Sequence, residues 1–402
     1  AIGGDEIVSF SRVGDVLTIN RGKHGTTAQN HDLDDRVQIC IEYNGVDPAD
    51  IMNDLLVTYA GINQSYIPLS TWQTETATYI GRIYTTVIAE PTSVTKLVNE
   101  VLHQTGTSMW WDDVAKLVRI RALRATPEIA ALYDDNIIVE GSYAAKDQPG
   151  KRVSQVWTYY GLKNALNNID DPKNYRSAMA SVDSESEAEY GGEAIRQIFS
   201  RWIPAFGRDA ARTLNDLILS RYAAPPRMFG FKLLRDDFVV QPEPAGGYKL
   251  STFMLQGPTG EQATVDFQTT SVKAGDAFIE VTGEEVLYSQ TITPLDPTVR
   301  DITIDTNTVN INFRTIYDTL YAEPDGEITV NIYVEAGVVI GSATTGLYSI
   351  RTGEWPNGVT LNLYNNGRSQ GKGGQGGWGG WKSQWFKVTE SGVAGFPGGH
   401  AL

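Results

Sequence analysis

Cysteine occurs once, at position 40. A single thiol excludes a disulfide framework and every metal site built from several cysteines. Four scattered histidines leave little material for a histidine-based metal centre. Positive charge is in deficit: 33 Lys and Arg stand against 48 Asp and Glu, a formal net charge of −15. That balance argues against a dedicated binder of nucleic acid or of anionic membranes. No apolar run reaches the ~18 residues needed to span a bilayer as a helix. Catalytic signatures are missing too: no Gly-x-Ser-x-Gly elbow, no Walker loop, no His-Glu-x-x-His, no paired Cys-x-x-Cys. Cys40, between Ile39 and Ile41, reads as a core thiol rather than a nucleophile. The residues therefore offer no catalytic, cofactor-binding or metal-ligating set. The expectation is a non-enzyme without cofactor.

What is present points to a globular, largely β protein. Hydrophobic residues make up 41% and charged residues 20%, a balance that disfavours disorder. The length of 402 residues fits two to four domains. Aromatics are plentiful, with nine Trp and nineteen Tyr, and much of the glycine sits in the last quarter. The chain opens at Ala1 without a signal-peptide pattern and stops inside a glycine-rich pattern at Gly398-Gly399-His400-Ala401-Leu402. It reads as a piece of a larger polypeptide.

Periodicity divides the chain. Residues 6 to 20 read as a hairpin around Gly14-Asp15, and Val37 to Tyr43 as a strand. Asp47 and Pro48 open a helix carrying Ile51, Met52, Leu55, Leu56 and Tyr59. Tyr79 to Ala89 reads as a strand. A second helix follows Pro91, with Val94, Leu97, Val98, Val101 and Leu102 on one face. Ser108 to Trp111 and Leu117 to Arg121 read as a hairpin, and Gln155 to Leu162 as a strand. A third helix over 208–223 is expected to bury Leu214, Leu217, Ile218 and Tyr222. Beyond about residue 240 helical periodicity disappears. Gln241 to Gly247 is the best linker, and short β runs follow at intervals of roughly ten residues. The fold class expected is multi-domain α+β: an α+β region over 1–240, a small all-β module over 241–298, an all-β sandwich-like module over 299–364, and a glycine-rich segment over 365–402.

Each motif is weighed against its plainer meaning. Gly371-Lys372-Gly373-Gly374-Gln375-Gly376 has dinucleotide-loop spacing but no helix after it to meet a pyrophosphate. It reads as a structural glycine segment, either linker or packed polyproline-II-like strands. Trp378, Trp381 and Trp385 are the candidate surface-recognition aromatics; packing against a neighbouring β domain is the plainer role. His24 and His31 with Asp32, Asp34 and Asp35 lack calcium-loop spacing, because Arg36 and Val37 break it, and read as a solvated polar loop. Glu185, Glu187 and Glu189 read as a solvated helix start.

Three stretches carry a family resemblance. Residues 21 to 37 run Arg-Gly-Lys-His-Gly-Thr-Thr-Ala-Gln-Asn-His-Asp-Leu-Asp-Asp-Arg-Val. Residues 91 to 121 place a Pro-led helix before Ser108-Met109-Trp110-Trp111-Asp112-Asp113 and a return strand. Residues 170 to 231 run from Asp170-Asp171-Pro172 through Glu189-Tyr190-Gly191 and a helix to Pro225-Pro226. In this order they resemble the tail-tip or baseplate hub proteins of long-tailed bacteriophages. Arg351 to Pro356 and Asn365 to Gly374 are similar to glycine-rich modules of phage tail-tip and fibre proteins. The resemblance implies a virion structural role: a homotrimeric ring that closes the tail tube, contacts tail-tip and tail-tube proteins, and carries receptor-binding parts. The alternative is an adhesin for host polysaccharide or pili. A carbohydrate-active enzyme is the third possibility, and no acidic pair singles itself out for it.

Overall fold

The computed structural model describes residues 1–112, 115–122, 132–234, 242–257, 259–287, 295–324 and 326–373. They fall into two units: residues 1–203 with 210–295, and residues 204–209 with the described residues from Asp296 on. The fold class is multi-domain α+β with a β-rich C-terminal part, as expected. No helix among the described residues is long and apolar enough to cross a membrane.

In the first unit, β1 (Ile7–Val13) and β2 (Val16–Lys23) form the expected hairpin. The register pairs Phe10 with Ile19 and Arg12 with Leu17, so these four share one face. Ser9, Ser11, Thr18 and Asn20 share the other, and both faces are exposed. β3 (Ile41–Val46) leads into α1 (Pro48–Asp54), which continues as a π-helical turn over Leu55–Tyr59. Asp47 caps α1 by accepting from the Ala49 N–H at 2.8 Å, and Pro48 occupies a position that needs no donor. Ile51, Met52 and Leu55 are fully buried.

Helix α2 (Leu69–Tyr79) departs from the sequence reading, which begins a strand at Tyr79. Its four threonines are poor helix formers. Burial of Trp72, whose indole N–H donates to the Val118 carbonyl at 3.1 Å, helps fix it through tertiary contact. β4 (Tyr84–Ile88) pairs with β3. α3 (Val94–Thr105) is capped by Ser93 and buries Leu97, Val98 and Val101 along the expected face. β5 (Thr107–Asp112) and β6 (Leu117–Ala122) close the expected hairpin.

β7 (Leu132–Asp134) and β8 (Ala144–Asp147) are edge strands of a sheet completed later in the chain. Between them and that completion lies a three-stranded sheet of β9 (Gln155–Leu162), β10 (Tyr175–Val182) and, after α4 (Ser184–Tyr190), β11 (Ile195–Phe199), in the order β10-β9-β11. Its inner face meets α5 (Arg208–Tyr222). There the buried Asn215 accepts from the Thr158 hydroxyl at 2.6 Å and donates to the Val156 and Met179 carbonyls. Its outer face carries three rows, Ala178–Tyr159–Phe199, Ala180–Trp157–Gln197 and Val182–Gln155–Ile195, with the exposed Arg176 beyond the first of them on β10.

The buried stripe of α5 is Ala211, Leu214, Asn215 and Leu219. Leu217, Ile218 and Tyr222, expected inside, are half-buried because they line an open cleft. β12 (Arg227–Leu234), β13 (Gly247–Gln256), β14 (Gln262–Ala274) and β15 (Phe278–Glu285) complete a six-stranded sheet in the order β7-β13-β14-β15-β12-β8. This corrects the separate module expected over 241–298. Those strands hydrogen-bond to β7 and β12, and residues up to Leu295 belong to the first unit. A row of interlocking aromatics, Tyr133, Phe231, Tyr248 and Phe267, lies in that sheet's core.

The second unit also corrects its expectation. The strands are parallel, and a helix interrupts them, so the region is neither a sandwich nor all-β. β16 (Val299–Ile304), β17 (Thr308–Val309) and β18 (Ile311–Asn312) precede α6 (Phe313–Leu320). β19 (Ile328–Val334), β20 (Val339–Gly341) and β21 (Ile350–Arg351) form the next turn, and β22 (Val359–Asn365) and β23 (Arg368–Ser369) begin a third. Each turn places its strands beside those of the previous one: β16-β19-β22, β17-β20-β23 and β18-β21, all parallel. The result is a parallel coil. Its interior stacks Ile302 on Ile332, both fully buried, with Leu363 next in register. Leu363 is 40% exposed. α6 adds Phe313, Ile316, Tyr317 and Leu320 to the same core. At the β22–β23 corner a Cβ on Gly367 would lie 2.5 Å from the Val338 carbonyl oxygen, so glycine permits the tight turn.

Candidate functional site

The segment 21–37 is organised by one carboxylate. Glu6 is fully buried and accepts from Arg21 Nε at 3.0 Å, from Arg21 Nη2, and from the N–H groups of Gly22 at 2.9 Å and Gln29 at 3.0 Å. His31 Nε2 lies 2.9 Å from the same carboxylate, and its Nδ1 lies 3.2 Å from Asp35. The Arg21 hydrogen bond, opposed by burial and reinforced by Gln29, His31 and Gly22, holds the Glu6 carboxyl well below the usual range. This corrects the reading of a solvated loop for His31 and Asp35, which are parts of a lock closed by a residue outside the segment, while His24, Asp32 and Asp34 are exposed as that reading expects. Gly25 has φ +79°, and a Cβ there would lie 1.8 Å from the Lys163 carbonyl oxygen, so the chain passes where only glycine fits.

A cleft of about 880 Å³ opens in the first unit beside α3, β5, β11 and α5. Leu217, Ile218 and Tyr222 form part of its apolar wall, and Lys96, His103 and Arg196 part of its polar wall. Burial, aided by repulsion from Arg196, pushes His103 down, which favours its neutral form near pH 7. Gln268 also lines the cleft; its amide donates to the Ala245 carbonyl at 3.1 Å, while its buried oxygen has no donor among the described residues. Behind this wall Glu284 is 2% exposed. Burial raises its pKa, but Lys151 and Arg221 outweigh that and leave it lowered.

In the second unit the sheet β16-β19-β22 carries side-chain ladders across its turns. Asn362 donates to Asn331 at 2.9 Å, and Asn331 donates to Asp301 at 3.0 Å. Tyr333 and Tyr364 stack with ring centroids 4.9 Å apart and planes at 11°. Tyr364 is 47% exposed, so an aromatic and amide surface faces outward on this sheet. Sequence reasoning passed over these residues. The signal was a repeat of about thirty residues: Val-Arg-Asp-Ile-Thr-Ile at 299, Thr-Val-Asn-Ile-Tyr-Val at 329 and Thr-Leu-Asn-Leu-Tyr-Asn at 360. The aromatics singled out from sequence, Trp378, Trp381 and Trp385, lie outside the described residues.

No curated protein matches the chain. Among solved structures, prophage tail protein gp18 from Listeria monocytogenes EGD-e shares 10% identity, with 69% of this chain and 76% of that chain covered and a TM-score of 0.34. The 43 kDa tail protein of prophage MuSo2 from Shewanella oneidensis shares 13%, with 70% and 77% covered and a TM-score of 0.36. The tail protein from Neisseria meningitidis MC58 shares 9%, with 69% and 78% covered and a TM-score of 0.37. Likenesses this low bear on neither activity nor partners. Residues 299–402, which include the parallel coil, match the family model of the phage tail fibre adhesin Gp38.

Proposed function

We propose that the chain is a structural and attachment protein of a bacteriophage tail, part of the virion, with no chemical step of its own. The observation that carries this reading is the adhesin-family match over residues 299–402. The parallel coil supports it physically. Strands stacked at about 4.8 Å per turn build a stiff, projecting element from short repeats, which suits a part that reaches outward. In this reading the first unit belongs to the tail-tip hub. It associates with copies of itself, most simply as a trimer, and with other tail-tip and tail-tube proteins. The second unit and the glycine-rich end, with Trp378, Trp381 and Trp385, face a host polysaccharide or pilus. The net charge of −15 favours solubility before assembly.

The test is a phage whose copy of this chain lacks residues 365–402. Complete particles that no longer adsorb to cells are the expected result. Loss of particles instead would make the end an assembly element and defeat the division of roles. Absence of the full chain from purified virions would defeat the reading as a whole. Hydrolysis of peptidoglycan or host polysaccharide by purified protein, abolished by changing one acidic residue, would overturn the non-enzymatic part.

A further inference from the structure

The β1–β2 hairpin leaves an apolar face uncovered. Phe10 is 57% exposed, Leu17 53% and Ile19 44%; Val13 and Val16, on the other face at the tip, are 81% and 69% exposed. An isolated two-stranded ribbon is marginally stable at best in water. Exposed apolar area concentrated on one such ribbon marks an interaction surface.

A second uncovered face lies elsewhere in the same unit. The three outer rows of β10-β9-β11 contain no charged residue, and the exposed Arg176 stands beyond them at the start of β10. Val182 is 54% and Ile195 49% exposed, Ala180 is exposed, and Trp157, Tyr159 and Phe199 are half-buried. The two faces match in length: β1 and β2 run seven and eight residues, and β9 and β10 run eight each. They also match in charge. Residues 7–23 carry Arg12 and Lys23 against Asp15 alone, Arg21 being held by the buried Glu6. Residues 181–195, flanking the sheet face, carry Asp183, Glu185, Glu187, Glu189 and Glu193 and no base. Arg12 stands among Phe10, Leu17 and Ile19; it donates to the Gly14 carbonyl at 2.7 Å, and its pairing with Asp15 at 3.6 Å is solvent-exposed and weak, so its guanidinium can turn to a stronger partner.

We infer that the hairpin of one copy packs on the outer β10-β9-β11 face of a second copy, with Arg12 directed to the acids of 181–195. Two different surfaces meet in this contact, so it is head-to-tail, and repetition yields a ring where the rotation closes. Face-to-face packing of two strands on three buries the apolar side chains of both sheets between them. The ring deepens the tail-tip reading and rests on it for its biological setting; the contact itself rests on the two faces.

The experiment uses the full chain with Cys40→Ser, which removes the native thiol. Leu17→Cys and Ala180→Cys are made separately and mixed under oxidising conditions. A disulfide-linked dimer from the mixture, absent from either variant alone, is the expected result, and the double variant should give higher linked species. In parallel, Phe10→Asp should weaken self-association seen by sedimentation by at least about tenfold. Its circular dichroism should not change. A wild-type chain that stays monomeric at high concentration without cross-links overturns the inference, as does an oligomer indifferent to Phe10→Asp that never cross-links. If the purified chain is monomeric yet enters virions only with an intact hairpin, another tail protein covers the hairpin: the inference fails and the tail reading stands. If the chain cross-links as expected but is missing from virions, the contact stands and the tail reading fails.

Discussion

The two units solve the same problem, pairing the strands of the core, in opposite ways. The six-stranded sheet of the first unit collects strands from Leu132 to Glu285, nearly all antiparallel, and joins β7 to β13 across more than a hundred residues. The second unit pairs each strand only with its equivalents about thirty residues away, always in parallel. Long-range pairing makes the first unit depend on single buried anchors that hold distant segments. Near-neighbour pairing makes the second depend on position within the stack, because an inner turn has two neighbours and a terminal turn has one.

The largest effect is expected where a charge enters the core of the first unit. Leu214 on α5 is 4% exposed. Leu214→Asp should remove about 4 kcal/mol or more and prevent soluble expression. Leu217→Asp, on the cleft wall, should leave folded protein; equal loss from both would erase the distinction drawn along this helix. Next comes Glu284→Ala, which strips Lys151 and Arg221 of their buried partner. A loss of about 3 kcal/mol in urea denaturation is expected.

The stack gives a sharper comparison. Ile332→Ala, at a fully buried position, should destabilise the second unit by about 3 kcal/mol, whereas Leu363→Ala, at a position 40% exposed, should cost less than about 1 kcal/mol. Similar values at the two positions would contradict the neighbour argument.

The smallest effect concerns the Glu6 lock and depends on pH. The folded-state pKa of Glu6 lies below the unfolded value, so its contribution is complete above about pH 4.3 and fades as pH falls below that. Glu6→Gln should lower the melting temperature near pH 7, and the gap from wild type should narrow toward about pH 3. A gap that stays constant over that range would mean the carboxylate's charge is not what holds residues 21–37.

Local signals were legible wherever the physics is local. Asp47 and Pro48 announce the start of α1, the apolar spacing of α3 predicts its buried face, and the run from Gln155 to Leu162 is a strand as read. α2 was not legible, because its threonines disfavour helix and the deeply buried Trp72 helps hold it in place. The absence of helical periodicity after residue 240 is consistent with β structure there. Periodicity cannot distinguish antiparallel from parallel pairing, since both alternate every second residue.

By itself, then, the sequence determined the class of the molecule: globular, acidic, mixed α+β and then β-rich, with no disulfide framework and no helix to cross a membrane. Composition and short-range spacing act within a few residues, and they suffice for that. Only the tertiary structure decided which strand meets which, that Glu6 closes on Arg21 and His31, that Leu214 is buried while Leu217 is half-exposed on the cleft wall, and that residues 299–369 wind as a parallel coil. Each of these depends on partners brought together from distant positions. The free energy of such contacts exists only once the chain has closed the loops between them.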